Sequence, residues 1–249
     1  MREMSYYIDI QALNLEALIM NLLKIFLRLI GRSIAPATTP KQNLKDLLTT
    51  TNIKEVMKKK GYVFFDGNKK LNLNLVGIRR DNAGTNTFDD FMVVVYKDNN
   101  LKQTCKVFPI TTDPGEYWLK NPINPKGTAI LVPGQYRGAW RLGRHQDKYE
   151  ALVQWKKVKV WRDNNKDEVI DYQGFNTINE GYFGINIHRS NPYTESYLVN
   201  RWSAGCQVFQ NIEDYKKFIE LCQISAKLYG NSFSYTLITE QDLRKHPNQ

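Results

Sequence analysis

The residues of this 249-residue chain best suited to chemistry are a histidine and a cysteine 18 positions apart, His188 and Cys206. A free cysteine has a pKa of about 8.5 and needs a neighbouring base before it acts as a nucleophile at neutral pH. A histidine on an adjacent strand can take the thiol proton and later return it to a leaving amine. The pair therefore indicates cysteine-dependent acyl transfer. The competing interpretation is that Cys206 is a small buried hydrophobic residue, as most free cysteines are.

Residues around the pair have the properties that such a site needs. His188 ends the apolar run 184–188, which predicts a strand terminus that faces a loop. Ala204 and Gly205, directly before Cys206, allow a sharp turn that aims backbone N–H groups at one point. An oxyanion formed during acyl transfer would be stabilised at that point.

The elements that must position these residues are short strands followed by one helix. From residue 62 onward the apolar runs are short, rich in β-branched and aromatic residues, and bounded by Gly, Asn, Asp or Pro. The predicted strands cover residues 63–65, 71–78, 91–96, 106–110, 128–132, 151–160, 183–188 and 233–238. An amphipathic helix is predicted over residues 213–229, where Gly230 stops it. We therefore predict an α+β protein with a mainly β catalytic domain, N-terminal helices and one C-terminal helix packed on it.

The amino-terminal part of the chain differs from the rest. Residues 14–31 form the most apolar segment, and Asn21, Lys24 and Arg28 recur there at spacings of three and four residues. Each cation would cost about 2.5–3.5 kcal/mol at a bilayer centre, so no membrane-spanning helix is expected. Three interpretations remain open, namely a packed amphipathic helix, a helix lying on a membrane surface, and an export signal.

A linker and a short helix connect this segment to the β region. Residues 33–42 are rich in Pro, Thr and Ala, which is typical of a linker. A helix is predicted over residues 44–60, with an interruption at 49–52 and a stop at Gly61. We therefore place a helical segment with its linker at residues 1–61 and the catalytic domain at residues 62–249.

Composition excludes several classes of protein. Hydrophobic residues make up 42% of the chain and charged residues 24%, which is typical of soluble globular domains and excludes global disorder. The cysteines and histidines show no metal-ligand spacing, so neither a metal nor another cofactor is expected. Cys105 and Cys222 are expected to be structural, His145 to lie in a loop with a place in the cleft lining left open, and His246 in a polar tail. The net charge of +10 favours anionic surroundings, but the cations are scattered among acids, so nucleic acid is not an expected partner.

The motif around the cysteine resembles that of a known enzyme family. A histidine followed by Ser-x-Gly-Cys, here His188 with Ser203, Gly205 and Cys206, is similar to the motif of YkuD-type L,D-transpeptidase domains. The resemblance extends over about residues 71–209. It includes an opening hairpin with strands at 91–96 and 106–110, and a Pro-x-Gly segment at 125–127.

The resemblance implies a fold, a substrate and a role for each motif residue. The fold would be a YkuD-like β-sandwich or barrel, and the substrate would be the stem peptides of peptidoglycan. Cys206 would be the nucleophile and His188 its general base. Ser203 and Gly205 would shape the turn, and backbone N–H groups around Gly205 and Cys206 would form the oxyanion hole. The protein would then work in the cell envelope or periplasm, outside the cell, or on a virion, as a phage lysin does.

Two positions depart from the family pattern. Ala204 stands where the family usually has a histidine or another residue next to the glycine. Val208 stands where the family usually has an arginine that helps to bind a substrate carboxylate. Arg189, Arg201 and Arg137 are the candidates to supply that charge instead, because a guanidinium can bind a carboxylate through two hydrogen bonds. Two aromatic residues, Trp202 and Tyr182, are expected to contact substrate as well; the five substrate-binding candidates are thus Arg137, Tyr182, Arg189, Arg201 and Trp202.

The absence of that arginine leaves the reaction open. Transpeptidation and hydrolysis use the same cysteine and histidine and differ only in the second nucleophile, an amine or water. A catalytically inactive wall-binding or virion protein with the same fold is the alternative, and the missing arginine favours it. The presence of both His188 and Cys206 argues for an enzyme, because an inactive site has no physical need for either residue.

Overall fold

The computed structural model describes residues 42–81, 84–172 and 177–245 of the chain. The apolar segment 14–31, the linker up to residue 41 and His246 lie outside the described residues, so the expectations about them remain predictions. The compact unit of the protein begins at Asn43. The domain boundary expected between residues 61 and 62 therefore falls inside this unit. In the described part of the chain, no helix is long and apolar enough to cross a membrane.

Two β-sheets form most of the structure, as the prediction of a mainly β, α+β fold requires. The larger is a closed barrel with the strand order β1-β11-β5-β6-β9-β10-β3-β2, and the smaller has the order β4-β7-β8. The strands are β1 (Asn74–Arg79), β2 (Asp90–Lys97), β3 (Gln103–Thr111), β4 (Thr128–Leu131), β5 (Gly134–His145), β6 (Tyr149–Gln154), β7 (Val158–Asp163), β8 (Asn179–Gly181), β9 (Ile187–Arg189), β10 (Gln207–Phe209) and β11 (Phe233–Thr239).

Of the helices in the described ranges, two precede the first strand, two lie between strands, and one follows the last strand. They are α1 (Leu44–Leu47), α2 (Thr50–Lys59), α3 (Glu116–Lys120), α4 (Ile212–Tyr229) and α5 (Glu240–Arg244). The predicted helix 44–60 is divided because Thr49 is the N-cap of α2, and its hydroxyl accepts a hydrogen bond from Asn52 N at 3.3 Å. The prediction of α4 is confirmed; Asn211 caps its start, and it ends at Gly230, whose φ is 90°.

Several strand predictions differ from the structure. The predicted strand 151–160 is two strands, because the chain leaves β6 at Trp155, whose N–H donates to Ala139 O at 2.7 Å. Residues 63–65 form no strand, and Val63 N donates instead to the Gln135 side chain. Strand β5 was not predicted, since its glycines and arginines interrupt the alternation of apolar residues that marks a half-buried strand.

The strands β1 and β2 are buried on both faces, which explains their continuous apolar runs. On one face Leu75 and Val94 belong to the main core, which also includes Phe218 of α4. On the other face Val76 and Val93 belong to a second cluster with residues of α1, α2 and α5. The short N-terminal helices are therefore part of the barrel's own packing.

A buried charged network joins β1, β2 and the end of β3. The guanidinium of Arg79 lies 3.0 Å from Asp113 Oδ1 and donates to Thr112 O and Leu131 O, each at 2.9 Å. Thr112 in turn donates its N–H to Asp90 Oδ2 at 2.7 Å. Arg79, Asp90 and Asp113 are all almost fully buried. A folded protein is strongly destabilised when a buried carboxylate loses its cation. Arg79 therefore stabilises this part of the barrel.

We expect Arg79→Met to lower the free energy of unfolding by about 3–5 kcal/mol, because it leaves buried carboxylates without their guanidinium. The matched control is Lys54→Met, which removes the exposed ion pair of Lys54 with Asp66 (2.6 Å) and is expected to change stability little. Urea denaturation followed by tryptophan fluorescence measures both variants. Equal stabilities of the two variants would contradict the role assigned to Arg79.

Candidate active site

Parallel pairing of β9 and β10 brings His188 and Cys206 to the same face of the barrel. Val208 is the register partner of His188. Ile187 and Phe209 belong to the main core, so the alternation of side chains along a strand turns His188, Val208 and Cys206 to the outer face. Residues far apart in sequence are thus placed next to each other by two three-residue strands.

A cleft of about 520 Å³ opens on this face and contains both residues. One wall comes from the β9–β10 region and the turn before β10, and another from the smaller sheet and the loops that flank it. The lining residues are Trp118, Ile123, Asn124, Gly127, Thr128, Ala129, His145, Gln146, Arg162, Tyr182, Phe183, Gly184, Asn186, His188, Arg201, Trp202, Ala204 and Cys206.

The turn before Cys206 is held by the residues expected to shape it. The hydroxyl of Ser203, which is fully buried, donates to Cys206 O at 2.8 Å and accepts from Gly205 N at 3.1 Å. Gly205 has a φ of +114°, and a Cβ there would lie 2.0 Å from Ala129 O, so only glycine fits. The Gly205 N–H is used within the turn. The Cys206 N–H makes no hydrogen bond among the described residues and is left as a donor.

The thiol of Cys206 is half-buried and bonded to the backbone. It donates to Gly184 O at 3.3 Å, and its sulfur accepts from Asn186 N at 3.4 Å. Burial raises the pKa of Cys206 to about 11, although the Asn186 amide lowers it in part. The thiol is therefore protonated at neutral pH, and it needs a base at the moment of attack.

Backbone contacts fix the tautomer of the His188 imidazole. Its Nδ1 lies 2.8 Å from Arg189 O, and a carbonyl oxygen can only accept, so Nδ1 carries the proton. The Tyr149 hydroxyl lies 3.1 Å from Nδ1 and donates to the same carbonyl at 3.2 Å. The second ring nitrogen, Nε2, is therefore left unprotonated. Burial, and then the charge of a neighbouring histidine, His145, lower the pKa of His188 to about 3.

The resting site is thus a neutral thiol beside a neutral imidazole. A preformed thiolate–imidazolium pair would need the opposite shifts, a lowered pKa for Cys206 and a raised one for His188. The arrangement favours proton transfer to His188 Nε2 as the sulfur attacks, which is general-base catalysis. It can act on an electrophilic carbonyl that enters the cleft.

A second histidine, His145, lines the cleft as the sequence left open, but its contact with His188 was not predicted. It is the last residue of β5 rather than a loop residue, and its ring stacks on His188 with centroids 3.9 Å apart and planes inclined by 17°. Burial lowers the pKa of His145, with further lowering from Lys148 and Arg189. No spacing signal links the two histidines, because the pairing of β6 with β5 and β9 brings them together.

The five expected substrate-binding residues separate into two groups. Arg201, Trp202 and Tyr182 line the cleft. Arg189 instead stacks over the ring of Tyr149, 3.9 Å from its centroid, and donates to Ser190 O. Arg137 does not reach the cleft, contrary to the expectation that it supplies the substrate charge. It lies on β5, over the ring of Phe65, and lines a separate cavity of about 380 Å³.

Arg162, on β7, is the cleft cation that the sequence did not single out. Its guanidinium donates to Gly127 O at 3.0 Å and lies over Phe183, 4.8 Å from the ring centroid. Its Nε is buried without a hydrogen-bond partner, and Arg162 forms no ion pair among the described residues. Burial lowers the pKa of this guanidinium. Val208, by contrast, is fully buried with Phe88 and Val199, so an arginine at that position would have to enter an apolar cluster.

Comparisons with known proteins leave the site to be interpreted from its geometry. A scan against protein-family models, a search of curated proteins and a search of solved structures each found no match. Within the ranges that the structure describes, no group of three or more His, Cys, Asp and Glu side chains is arranged to hold a metal ion.

The electrostatics of the thiol lead to a prediction that needs no substrate. With a pKa of about 11, Cys206 should be alkylated slowly by iodoacetamide at neutral pH, and the rate should rise about tenfold per pH unit well beyond pH 8. Mass spectrometry of the peptide that contains Cys206 follows this cysteine separately, with the buried Cys222 as an internal unreactive control. A rate that is already constant below pH 8 would contradict the neutral pair and indicate a thiolate.

Proposed function

We propose that this protein is a cysteine acyltransferase of the L,D-transpeptidase type that acts on the stem peptides of peptidoglycan. The observation that carries the proposal is the placement of the Cys206 thiol and the His188 imidazole on one face, in one cleft, with Nε2 of His188 as the unprotonated nitrogen. The motif resemblance and the mainly β architecture both support a YkuD-like catalytic domain. The net charge of +10 suits an anionic wall polymer.

The proposed chemistry has two steps. In the first, the Cys206 sulfur adds to a peptide carbonyl while His188 Nε2 accepts the thiol proton. The tetrahedral intermediate collapses to a thioester, the C–N bond breaks, and His188 gives its proton to the leaving amine. In the second, an amine or water attacks the thioester, His188 takes its proton and returns it to the sulfur. An amine acceptor gives a new peptide bond, and water gives a free carboxylate.

The backbone supplies the charge stabilisation that these steps need. The Cys206 N–H makes no hydrogen bond among the described residues and belongs to the nucleophile itself, as an oxyanion donor in acyl transfer often does. The Asn186 N–H now donates to the sulfur and stabilises its charge as the proton leaves. The turn held by Ser203 and Gly205 keeps the first donor in place.

The cleft walls suit a peptide that carries a carboxylate. Trp202 and Tyr182 are exposed by 39% and 66% and offer flat apolar surfaces beside the nucleophile. Arg162 offers a guanidinium that no acid of the described residues neutralises. We assign to Arg162 the carboxylate-binding role that the resemblance gives to an arginine at position 208. Because peptidoglycan lies outside the cytoplasmic membrane, the proposal places the protein in the envelope, outside the cell or on a virion.

The proposal is tested by incubating purified peptidoglycan with the wild-type protein and with Cys206→Ala, and reading the soluble fragments by mass spectrometry. We expect new fragments from the wild type and none from the variant. Fragments that have gained water identify hydrolysis, and fragments joined through a new peptide bond identify transpeptidation. Cys206→Ser is the control for steric effects, because it keeps a hydroxyl of similar size and is expected to retain only residual activity.

Two results would overturn the proposal. Fragments that persist in Cys206→Ala would show that another group does the chemistry. The absence of fragments from both proteins, together with equal binding to peptidoglycan, would favour the inactive wall-binding protein instead. Circular dichroism of each variant ensures that a loss of activity is not a loss of fold.

Arg162 provides a prediction about specificity. Arg162→Gln should lower kcat/KM about 10- to 100-fold on a stem peptide with a free carboxylate, since a charged hydrogen bond contributes about 1.5–3 kcal/mol. On the same peptide with that carboxylate converted to an amide, the variant and the wild type should differ little. Arg137→Gln, in the separate cavity, is the matched control and should affect neither peptide. An equal loss on both peptides would contradict carboxylate binding by Arg162.

A further inference from the structure

The two histidines in the cleft, His145 and His188, stack on each other in a defined geometry. The His145 and His188 rings lie 3.9 Å apart and nearly parallel, at 17°. His145 ends β5, at one end of the β5–β6 hairpin, and its register partner Tyr149 bonds to the same carbonyl as His188 does. One face of the base is therefore covered by His145, and its Nδ1 edge is held by the hairpin and by Arg189 O.

A chain of hydrogen bonds also fixes which nitrogen of His145 carries the proton. The side-chain oxygen of Asn186 accepts from Gln154 N at 3.0 Å, so its NH₂ group points the other way. That NH₂ group lies 3.0 Å from His145 Nδ1, and because it can only donate, Nδ1 must accept. In the neutral ring the proton of His145 is therefore on Nε2. Asn186 is also the residue whose backbone N–H bonds to the Cys206 sulfur.

We propose that His145 is a positioning residue for the general base, His188. Its ring holds the His188 imidazole in the plane that presents Nε2 to the cleft, and its charge, when it is protonated, keeps a second proton off His188. The proposal rests on the proposed function, in which His188 is the base. Protonation of both stacked imidazoles at once is disfavoured, because two positive charges at this distance repel each other. As the pH falls, a proton on the more exposed His145 opposes a second proton on His188, so the base stays competent.

The other groups that face the pair are consistent with this role. Arg189, on β9, and Lys148, in the hairpin, add positive charge near the two rings and disfavour their protonation. Tyr149, on β6, is neutral, since burial raises its pKa to about 12. Cys206, on the turn before β10, is also neutral at pH 7. The hydrogen bond to Arg189 O raises the pKa of His188, but burial and the positive charges outweigh it, and no carboxylate acts on either histidine to favour an imidazolium.

The test compares His145→Ala, which removes the ring, with His145→Phe, which keeps a stacking surface but cannot titrate. We expect His145→Ala to lower kcat/KM about 10- to 100-fold, the loss typical of a misplaced catalytic group, and His145→Phe to restore part of it. In both variants the acidic limb of the pH–rate profile should move to higher pH, because His188 now accepts a proton more readily. Arg137→Gln, on the same strand β5 but in the separate cavity, is the control and should leave the limb in place.

Nitrogen-15 NMR of the histidine rings tests the same proposal without any substrate. The wild type should show His145 protonated on Nε2 and His188 on Nδ1, and in His145→Phe the titration of His188 should move to higher pH. In Asn186→Asp a carboxylate faces His145 Nδ1, so His145 should be protonated at a higher pH than in the wild type.

The two proposals fail in different ways. If the wild type is inactive on peptidoglycan, the proposed function fails, whereas the NMR titrations still decide whether His145 controls His188. An active wild type whose pH limb and His188 titration are unchanged in both His145 variants would overturn the positioning role. A loss of kcat/KM in His145→Ala with an unmoved pH limb would overturn it too, since that pattern indicates a structural role only.

Discussion

The close approach of the turn before Cys206 to Ala129 of β4 is the contact on which the site depends. Gly205 lies so near Ala129 O that no side chain fits between them. This contact joins the barrel, which carries the nucleophile, to the smaller sheet, which forms another wall of the cleft. Because Ser203 bonds to both Gly205 and Cys206, the same turn that closes the contact also fixes the backbone of the nucleophile. The cleft and the reactive group are therefore products of one local constraint.

In the core of the protein two buried ionisable groups are charged and paired, whereas Cys206 and His188 are neutral in the cleft. Below the cleft, the Arg79 guanidinium and the Asp113 carboxylate are buried together, and each offsets part of the other's loss of solvation. At the cleft, burial acts on Cys206 and His188 without an opposite charge to offset it, so both are neutral. In the proposed mechanism the neutral pair is inert until a substrate carbonyl arrives, because charge then develops on atoms that the Cys206 and Asn186 amides can stabilise. Such a thiol is also protected from unspecific oxidation and alkylation at neutral pH.

Sequence patterns predicted the elements whose signals are local and missed those that depend on distant pairing. The apolar run of β2 and the capped, amphipathic α4 could be predicted because burial and helix ends leave a mark on neighbouring residues. Strand β5 could not, since its glycines and arginines conceal the alternation that its buried Trp140 would otherwise reveal. Cys206 and His188 were identified through residue type and motif. The stacking of His145 on His188 was not predicted, because only the order of strands in the barrel brings the two rings together.

In the proposed function, the cation that binds the substrate carboxylate and the two residues that react with the substrate lie on different sheets. An arginine two residues after the nucleophile would share strand β10 with the reactive turn, so a change in substrate contact would disturb the turn as well. Here that position is Val208, which packs in an apolar cluster and supports the turn from below. Arg162, on a strand of the smaller sheet, offers an unneutralised guanidinium instead, and Arg201 also lines the cleft. Under the proposed function, substitutions in β7 therefore change which anionic group the cleft accepts, while the pairing of β9 and β10 keeps the histidine and the cysteine in place.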